Sequence, residues 1–498
     1  MRVVSIAILT ALLSGPSFPH GQPQDDDQSR CKSKDPEQSI EGCSSLIQSG
    51  QEKGQDLANT FLSRGSAYAR KGDYEHAAHD YDEALRLNPS SAKAFYARGW
   101  VYAREADYDK AIQSFDRALH LDPTLAVALR ERGVAYTYED HYDRGIQDYD
   151  RALQLNPSDA IAFHDRGLAY AHRRDDDRAI QDYDQALRLN PTFADAFYGR
   201  GLAYARKGDN DRAIQDYDQA LRLNPASADA FYGRGLAYAK KGDNDHAIQD
   251  YDRALLLNPT LADAFYGRGL AYAKKGDNAH AIQDYDQALR LNPNSAGTLY
   301  WRGRAYERKA DYDRALSDYN QALRLNPNYS DALVMRGMSY TRNGNYDGAI
   351  QDFDRALQLN PTSAAAFYDR ARAYAYKQNF DRAIQDYDDA LRLTPNDADS
   401  FYGRGLAYAR RGYYDSAIQD YDQALRINSN YTAAFRARGE AYMHEGEYFR
   451  GIADHGHFLW LKFGILGIAI RLCILVFLIA IALRFNFKRL RKDPMTAN

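Results

Sequence analysis

The chain contains 498 residues, of which 45% are hydrophobic and 27% are charged, with only 15 prolines. This composition excludes wholesale disorder and a collagen-like chain, and the length allows several domains or one long array of repeats. Lysine and arginine total 64 against 68 acidic residues, so there is no electrostatic reason to expect nucleic acid as a partner. Three cysteines are too few for a disulfide scaffold or a four-thiolate zinc site.

The first 21 residues are predicted to be a secretory signal peptide. Arg2 precedes an apolar run from Val3 to Leu13, and small, turn-forming residues follow. As a helix this run would rise only about 17 Å, which is too short to cross a bilayer. We therefore expect a cleaved signal, and a retained N-terminal anchor is the alternative.

Residues 22–57 are predicted to form a linker and an N-terminal capping helix. A helix that begins at Pro36 places Ile40 and Cys43 on one face, where they would cover the hydrophobic side of the next element. Outside the cytosol, Cys31 and Cys43 could form a disulfide that closes a short loop.

The middle of the chain repeats with a period of 34 residues. Prolines occur at this spacing from Pro89 to Pro395 without an exception, as expected of a repeat array. With proline at the thirty-second place, the eighth place is glycine in all repeats but one and the eleventh is always tyrosine. The twenty-fourth place is aromatic in every repeat before the last, which has His455. The predicted array spans 58–457, with repeats that begin at residues 58, 92, 126, 160, 194, 228, 262, 296, 330, 364, 398 and 432.

Each half of the repeat is predicted to be an amphipathic helix, because its apolar places are separated by four and three residues. The small residue allows a neighbouring helix to approach, and the aromatic residues fill the space beside it. Between the halves, runs such as Lys207-Gly208-Asp209 supply a helix stop and an N-cap. The sequence thus predicts an all-α fold of about twelve helix-turn-helix units.

From Ala58 to about Phe458, the order of aromatic, small, tyrosine, alanine, aromatic, alanine and proline resembles the tetratricopeptide repeat. The resemblance implies a right-handed α-solenoid whose first helices line a concave groove, and it implies an activity of binding peptides or proteins. A narrower resemblance is to exported bacterial tetratricopeptide proteins with a cysteine-containing helical cap.

Arginine occupies the seventh place of every repeat from Arg64 to Arg438, where this family usually has leucine. We expect this row to form ion pairs with aspartates at the twenty-third or twenty-fifth place, such as Asp182 and Asp184. A row of anion-binding arginines is the alternative.

The groove prediction depends on the fifth place of each repeat, which should face the open side of the array. Tyrosine at this place, leucine at the ninth and a basic residue at the thirteenth suit an extended peptide or a helix, because aromatic anchors dominate interface energies. The predicted groove residues are Tyr96, Tyr198, Tyr232, Tyr266, Tyr300, Tyr368, Tyr402, Leu202, Leu236, Leu270, Arg206, Lys240 and Lys274. The alternative is that these residues recur only because the repeats were duplicated, since the three repeats in 194–295 are near-copies of one another.

Other kinds of site find little support in the sequence. One subset of the family grips C-terminal carboxylates with lysine at the fifth place and asparagine at the ninth, and this clamp is absent. Asp454, His455 and His457 could supply metal ligands, but a linker beside the membrane is the favoured interpretation. We therefore predict no catalytic residue, no metal and no cofactor, and the chain is not expected to be an enzyme.

Residues 462–484 are predicted to form a transmembrane helix. Between Phe463 and Leu483 only Arg471 is charged. The favourable free energy of inserting the apolar residues into a bilayer outweighs the unfavourable free energy of inserting one arginine. Basic residues concentrated in the tail 485–498 would keep the C-terminus in the cytoplasm by the positive-inside rule. The predicted location is therefore a single-pass membrane protein with exported repeats, periplasmic if the source is bacterial.

These observations predict a membrane-tethered scaffold that binds protein or peptide partners in the groove of its repeats. The alternatives are a structural spacer or self-assembling array without a dedicated ligand, and an accessory subunit of a membrane enzyme. The sequence leaves self-association into homo-oligomers open.

Overall fold

The computed structural model of the protein describes residues 23–463, and every regular element in this range is an α-helix. These 26 helices belong to two compact units, which meet in sequence at Pro259 and Thr260. We call the described residues 23–259 unit 1 and the described residues 260–463 unit 2. The prediction of an all-α helical repeat fold is confirmed.

Unit 1 contains a two-helix cap and six helical hairpins. Its helices are α1 (Pro23–Cys31), α2 (Pro36–Ser49), α3 (Gly54–Lys71), α4 (Tyr74–Leu87), α5 (Ala92–Arg104), α6 (Tyr108–Leu121), α7 (Ala126–Tyr138), α8 (Tyr142–Leu155), α9 (Ala160–His172), α10 (Asp176–Leu189), α11 (Ala194–Arg206), α12 (Asn210–Leu223), α13 (Ala228–Lys241) and α14 (Asn244–Leu257). Each first helix packs on its own second helix, and each of α4, α6, α8, α10 and α12 packs on the first helix that follows.

Unit 2 contains six further hairpins packed in the same way. Its helices are α15 (Ala262–Lys274), α16 (Asn278–Leu291), α17 (Ala296–Arg308), α18 (Tyr312–Leu325), α19 (Ser330–Arg342), α20 (Tyr346–Leu359), α21 (Ala364–Tyr376), α22 (Phe380–Leu393), α23 (Ala398–Arg410), α24 (Tyr414–Ile427), α25 (Thr432–His444) and α26 (Tyr448–Phe463).

The turn residues explain where most helices begin and end. Asp209 caps α12 by accepting a hydrogen bond from the backbone N–H of Arg212, and Gly208 before it has a φ of 82° that suits glycine. Helix α3 differs from the others, because it begins at Gly54, four residues before the predicted repeat start. No Asn-Pro turn precedes this repeat to stop the chain and set a later N-cap.

The core of most hairpins is an aromatic ring at the twenty-fourth place that lies against the glycine of the eighth place. The exceptions are the tenth repeat, with Ala371 at the eighth place, and the last, with His455 at the twenty-fourth. Tyr319, for example, is fully buried, and a Cβ atom added to Gly303 would lie 2.7 Å from its Cε1 atom. The Tyr319 hydroxyl donates a hydrogen bond to Glu307 at 3.2 Å, which holds the ring from its other end. Glycine at this place thus makes room for the ring at the helix spacing of this hairpin.

A disulfide joins the two helices of the cap. Cys31 and Cys43 are bonded with their Cα atoms 4.5 Å apart, and both side chains are buried. Helix α2 packs against α3, and Arg64 of α3 donates a hydrogen bond to the Ser44 hydroxyl at 3.1 Å. The cap therefore covers the start of the first repeat of unit 1.

The predicted transmembrane helix, and the single-pass membrane location that followed from it, are wrong. Within residues 23–463, no helix is both long enough and apolar enough to cross a bilayer. Helix α26, which enters the predicted span, is instead the second helix of the last hairpin, and its Asp454 accepts a hydrogen bond from Arg438 at 2.7 Å. Most of the predicted span, the predicted signal and the basic tail lie outside the described residues.

The first test concerns the glycine of the ring contact. Gly303→Ala should lower the free energy of unfolding by about 1–3 kcal/mol, because the new methyl group overpacks against Tyr319. Gly297→Ala in the same helix is the control, since a Cβ there meets no atom within 4 Å, and it should be neutral or stabilising. Urea unfolding of both variants checks this, and equal stabilities would contradict the packing argument.

The second test concerns the cap. The unfolded, unreduced full chain should titrate one thiol, from Cys473, because Cys31 and Cys43 are bonded. After reduction it should titrate all three cysteines of the sequence. Three reactive thiols before reduction would show that the bridge is absent.

Candidate functional site

The fifth, ninth and thirteenth places of each repeat share one face of the first helix, because they are four residues apart. We call this surface the first-helix face. In unit 1, α11 contacts α13, and in unit 2, α15 contacts α17 and α21 contacts both α19 and α23. Their side chains at these places therefore form a shared surface within each unit.

The fifth-place tyrosines are less open than the sequence predicts. The Tyr198 ring centroid lies 6.0 Å from that of the buried Tyr217, and Tyr368 lies 5.8 Å from Tyr387 in the same way. Burial raises the pKa of Tyr198 and of Tyr368 to about 12. Tyr300 is only 5% exposed. These rings thus cover the aromatic core of their own hairpins as well as lining the surface.

The thirteenth place is more open, and so is the ninth place at Leu236, whereas Leu202 and Leu270 are half-buried. Leu236 is 37% exposed, and Lys240 and Lys274 are also exposed. Arg206 instead donates a hydrogen bond to Asp176 of the preceding repeat at 2.8 Å. The exposed part of the predicted surface is therefore Leu236 and the basic residues of the thirteenth place more than tyrosine.

The predicted groove residues fall into separate groups. Unit 1 brings together those of α11 and α13, and unit 2 brings together those of α15 and α17. Tyr96 lies apart on α5, where its ring packs on Phe115, while Tyr368 and Tyr402 lie on the neighbouring helices α21 and α23.

Sequence reasoning missed a polar cluster in unit 1. Arg130, at the fifth place, pairs with Glu131 at 2.9 Å and with Asp159 at 3.2 Å. His164, at the fifth place of the next repeat, lies 3.0 Å from Asp165. The signal was the acidic residue at the sixth place, which is glycine in the near-identical repeats on which the groove prediction was based.

Sequence reasoning also missed a cavity in unit 2, which we call the arginine pocket. It has a volume of about 380 Å³ and is lined by Met338, Thr341, Arg342, Tyr346, Asp369, Arg372 and Tyr376. Asp369 is 8% exposed, and burial raises its pKa to about 6 although Arg372 opposes this shift. Its sequence signal was again an acid at the sixth place, followed by arginine at the ninth.

Tyr368 lines a second cavity of unit 2, and its ring centroid lies 5.7 Å from the guanidinium group of Arg372 in the arginine pocket. The second cavity has a volume of about 540 Å³ and is lined by Ala365, Tyr368, Asp397 and Asp399, among others. Tyr368 is the residue before Asp369 on α21, so this one helix contributes to the lining of both cavities. Both have the size of pockets that hold a side chain or a small ligand.

The seventh-place arginines form the predicted ion pairs. Arg200 donates two hydrogen bonds to Asp216 of its own repeat, at 2.8 and 2.7 Å, and one to Asp184 of the preceding repeat at 2.5 Å. Its guanidinium group also lies 5.5 Å from the ring centroid of Phe197. A guanidinium with two carboxylate partners and a stacked ring is a structural element, which argues against the anion-binding alternative.

The candidate metal ligands near the C-terminus have other partners. Asp454 pairs with Arg438, and the His457 ring stacks on Phe435 with centroids 5.3 Å apart. In the part of the chain that the structure describes, no group of three or more histidine, cysteine or acidic side chains is arranged to hold a metal ion.

Family models that describe the tetratricopeptide repeat match most of the array. They cover residues 62–126, 262–295, 300–364 and 368–432, and a TPR repeat model covers 175–208, 204–242 and 235–276. Together these matches span more than half of the chain. The protein belongs to the tetratricopeptide repeat family. A comparison with curated protein sequences finds no match.

Many solved tetratricopeptide structures resemble parts of this chain. YrrB, described as a TPR protein with an unusual peptide-binding site, is 27% identical over 37% of this chain and 95% of its own, with a TM-score of 0.34. MamA is 30% identical over 32% of this chain and 93% of its own, with a TM-score of 0.31. A tetratricopeptide repeat protein from Parabacteroides merdae is 21% identical over 51% of this chain and 99% of its own, with a TM-score of 0.40.

Tetratricopeptide repeats are generally interaction modules without catalytic activity, so family membership indicates a protein–protein interaction scaffold. This tetratricopeptide protein departs from its family at the seventh place, where arginine replaces leucine and ties neighbouring repeats by charge.

The third test removes one of these ties. Arg200→Ala should lower the free energy of unfolding by on the order of 3 kcal/mol at pH 7, because it leaves Asp216 buried without its partner. Burial already raises the pKa of Asp216, so this carboxyl takes up a proton on acidification. The difference in the free energy of unfolding between the variant and the parent protein should therefore become smaller at lower pH.

Arg222→Ala is the matched control, since Arg222 is exposed on the second helix of the same repeat. Urea unfolding of both variants at pH 7 and pH 5 measures the effect. If Arg200→Ala loses no more unfolding free energy than the control does, a structural role for the seventh-place arginines is contradicted.

Proposed function

We propose that this chain is a scaffold that binds peptide or protein partners on its first-helix face. The proposal is supported by membership of the tetratricopeptide repeat family and by the cavities along α21. It includes the predicted groove residues of both units, with the ninth and thirteenth places as contacts and the fifth place as a platform beneath them.

The two cavities lined by residues of α21 are the observation that carries the proposal. A bound segment that follows α21 would place one side chain in each cavity and contact the Tyr368 ring. From Ala365 to Arg372 the helix rises about 10 Å, which an extended segment spans with about three residues. This geometry suits a short linear segment rather than a flat protein surface.

The chemistry of the face also suits a peptide. It combines tyrosine rings, exposed leucines such as Leu236 and Leu406, and charges of both signs. Aromatic anchors supply most of the binding energy at such interfaces, and the charged rim selects the partner and its direction.

Crosslinking separates this function from the alternatives. A photoreactive residue at position 232, on the first-helix face of unit 1, should give a product with one heterologous protein. Products that contain only a second copy of this chain would favour a self-assembling array, and a product with an enzyme would favour an accessory subunit.

The fourth test blocks the larger cavity. Ala365 is exposed and lines it, so Ala365→Trp should fill the space and weaken binding of a peptide selected on the full chain from a displayed library. We expect at least a tenfold rise in the dissociation constant, which corresponds to about 1.4 kcal/mol. Isothermal titration calorimetry with the synthetic peptide provides the measurement.

Gln385→Trp supplies the control, because it places the same residue at an exposed position on α22, the second helix of the same repeat. Unchanged melting temperatures would show that both variants are folded. Equal affinities for the two variants would count against the first-helix face as the binding surface.

A further inference from the structure

The arginine pocket has a charge pattern that the other repeats lack. This pattern indicates which chemical group of a partner the pocket suits. Arg372 and Asp369 stand at the ninth and sixth places of α21, where the near-identical repeats have leucine and glycine. Arg342 enters the same cavity from α19, at the thirteenth place. Two guanidinium groups and one carboxylate leave the lining with one excess positive charge.

Neither arginine has a short hydrogen bond to a carboxylate, unlike the structural arginines beside it. Their guanidinium groups are positioned mainly by rings, because Arg342 lies 3.9 Å from the ring centroid of Tyr312 and Arg372 lies 5.7 Å from that of Tyr368. Arg372 donates to Asp369 across 3.3 Å, and Arg342 donates to Glu307 across 3.3 Å. In contrast, Arg370 bonds Asp386 and Asp354 at 2.6 to 2.8 Å. The hydrogen bonds in the pocket are long for charged groups, so a better-placed carboxylate can replace them.

The two carboxylates that now bond to these arginines are either shared with another donor or limited in their geometry. Glu307 also accepts a hydrogen bond from the buried Tyr319, which limits how far it can follow Arg342. Asp369 lies only three residues before Arg372 on the same helix, a spacing that does not give the two-bond geometry seen between Arg370 and Asp386. Burial also raises the pKa of Asp369 to about 6, which marks a poorly solvated carboxyl.

The walls of the pocket suit the stem of an acidic side chain. The rings of Tyr346 and Tyr376 stack with centroids 5.7 Å apart, and Met338 supplies an apolar surface. A volume of about 380 Å³ holds a side chain and its neighbouring backbone, but not a helix.

We propose that the arginine pocket binds a carboxylate of the partner peptide between Arg342 and Arg372, and that Asp369 occupies Arg372 as a built-in competitor until the peptide displaces it. This inference rests on the function proposed above. The carboxylate comes from an aspartate or glutamate side chain or from a C-terminus. The site uses arginines of the ninth and thirteenth places, and so differs from the lysine and asparagine clamp that the sequence lacks.

The test uses the peptide selected on the full chain, synthesised with an acetylated N-terminus and either a free or an amidated C-terminus. Arg372→Gln and Arg342→Gln should each weaken binding about tenfold or more, because each removes a charge-assisted hydrogen bond. Asp369→Asn should strengthen binding, since it removes the competing charge. Arg392→Gln is the control, because Arg392 is exposed on α22 and should leave affinity unchanged.

The peptide variants identify the source of the carboxylate. Glutamine in place of each acidic residue, or the C-terminal amide, should reproduce the loss seen with Arg372→Gln and should add no further loss in that variant. Melting temperatures at pH 7.5 check the fold, and Asp369→Asn should not lower its value because burial already disfavours the charged carboxyl.

Three results would overturn the inference. These are a selected peptide without a required carboxylate, a preference for lysine at the same position, or weaker binding by Asp369→Asn. If Ala365→Trp still abolishes binding while the arginine variants have no effect, the proposed peptide-binding function stands and only the carboxylate site fails.

Discussion

The whole repeat depends on one packing constraint, which is a buried aromatic ring pressed against a residue without a side chain. Tyr319 and Gly303 show the contact, and the same pair of places recurs in both units. Because the ring fills the space between the two helices of a hairpin, it fixes their separation. The turns, the ion pairs and the surface of the first helices all take their positions from that separation.

Two kinds of arginine coexist on this frame, and their partners distinguish them. Most of those at the seventh place, such as Arg200, bond to aspartates of two successive repeats and hold those repeats together. Arg342 lies six residues and Arg372 two residues beyond the seventh place of their helices, and both have longer bonds to carboxylates that are shared or poorly placed. The arginines of the seventh place thus stabilise the contact between repeats, whereas Arg342 and Arg372 are available to bind a partner.

The repeat pattern could be read from the sequence because the ring and the glycine that it requires stand at fixed places in nearly every repeat. The arginine pocket could not, since it needs Arg342 from one repeat, where a basic residue is the rule, and Asp369 from the next, which looks like an isolated departure from the consensus. Spacing predicted an open position for Tyr198 but did not show that its ring packs against the neighbouring Tyr217. Hydropathy suggested a membrane helix, whereas the described beginning of that segment is the end of a repeat helix tied to Arg438.

The near-identity of the repeats in unit 1 has a consequence for how such a gene can change length. Asp184 on α10 meets Arg200 on α11, and Asp218 on α12 meets Arg234 on α13 through the same atoms. Loss of residues 194–227 by unequal recombination would bring Asp184 to Arg234 and Tyr183 to Gly233, which are the same residue types at the same places. A lineage carrying this gene can therefore shorten or lengthen its protein in steps of 34 residues while keeping the same contacts between neighbouring repeats.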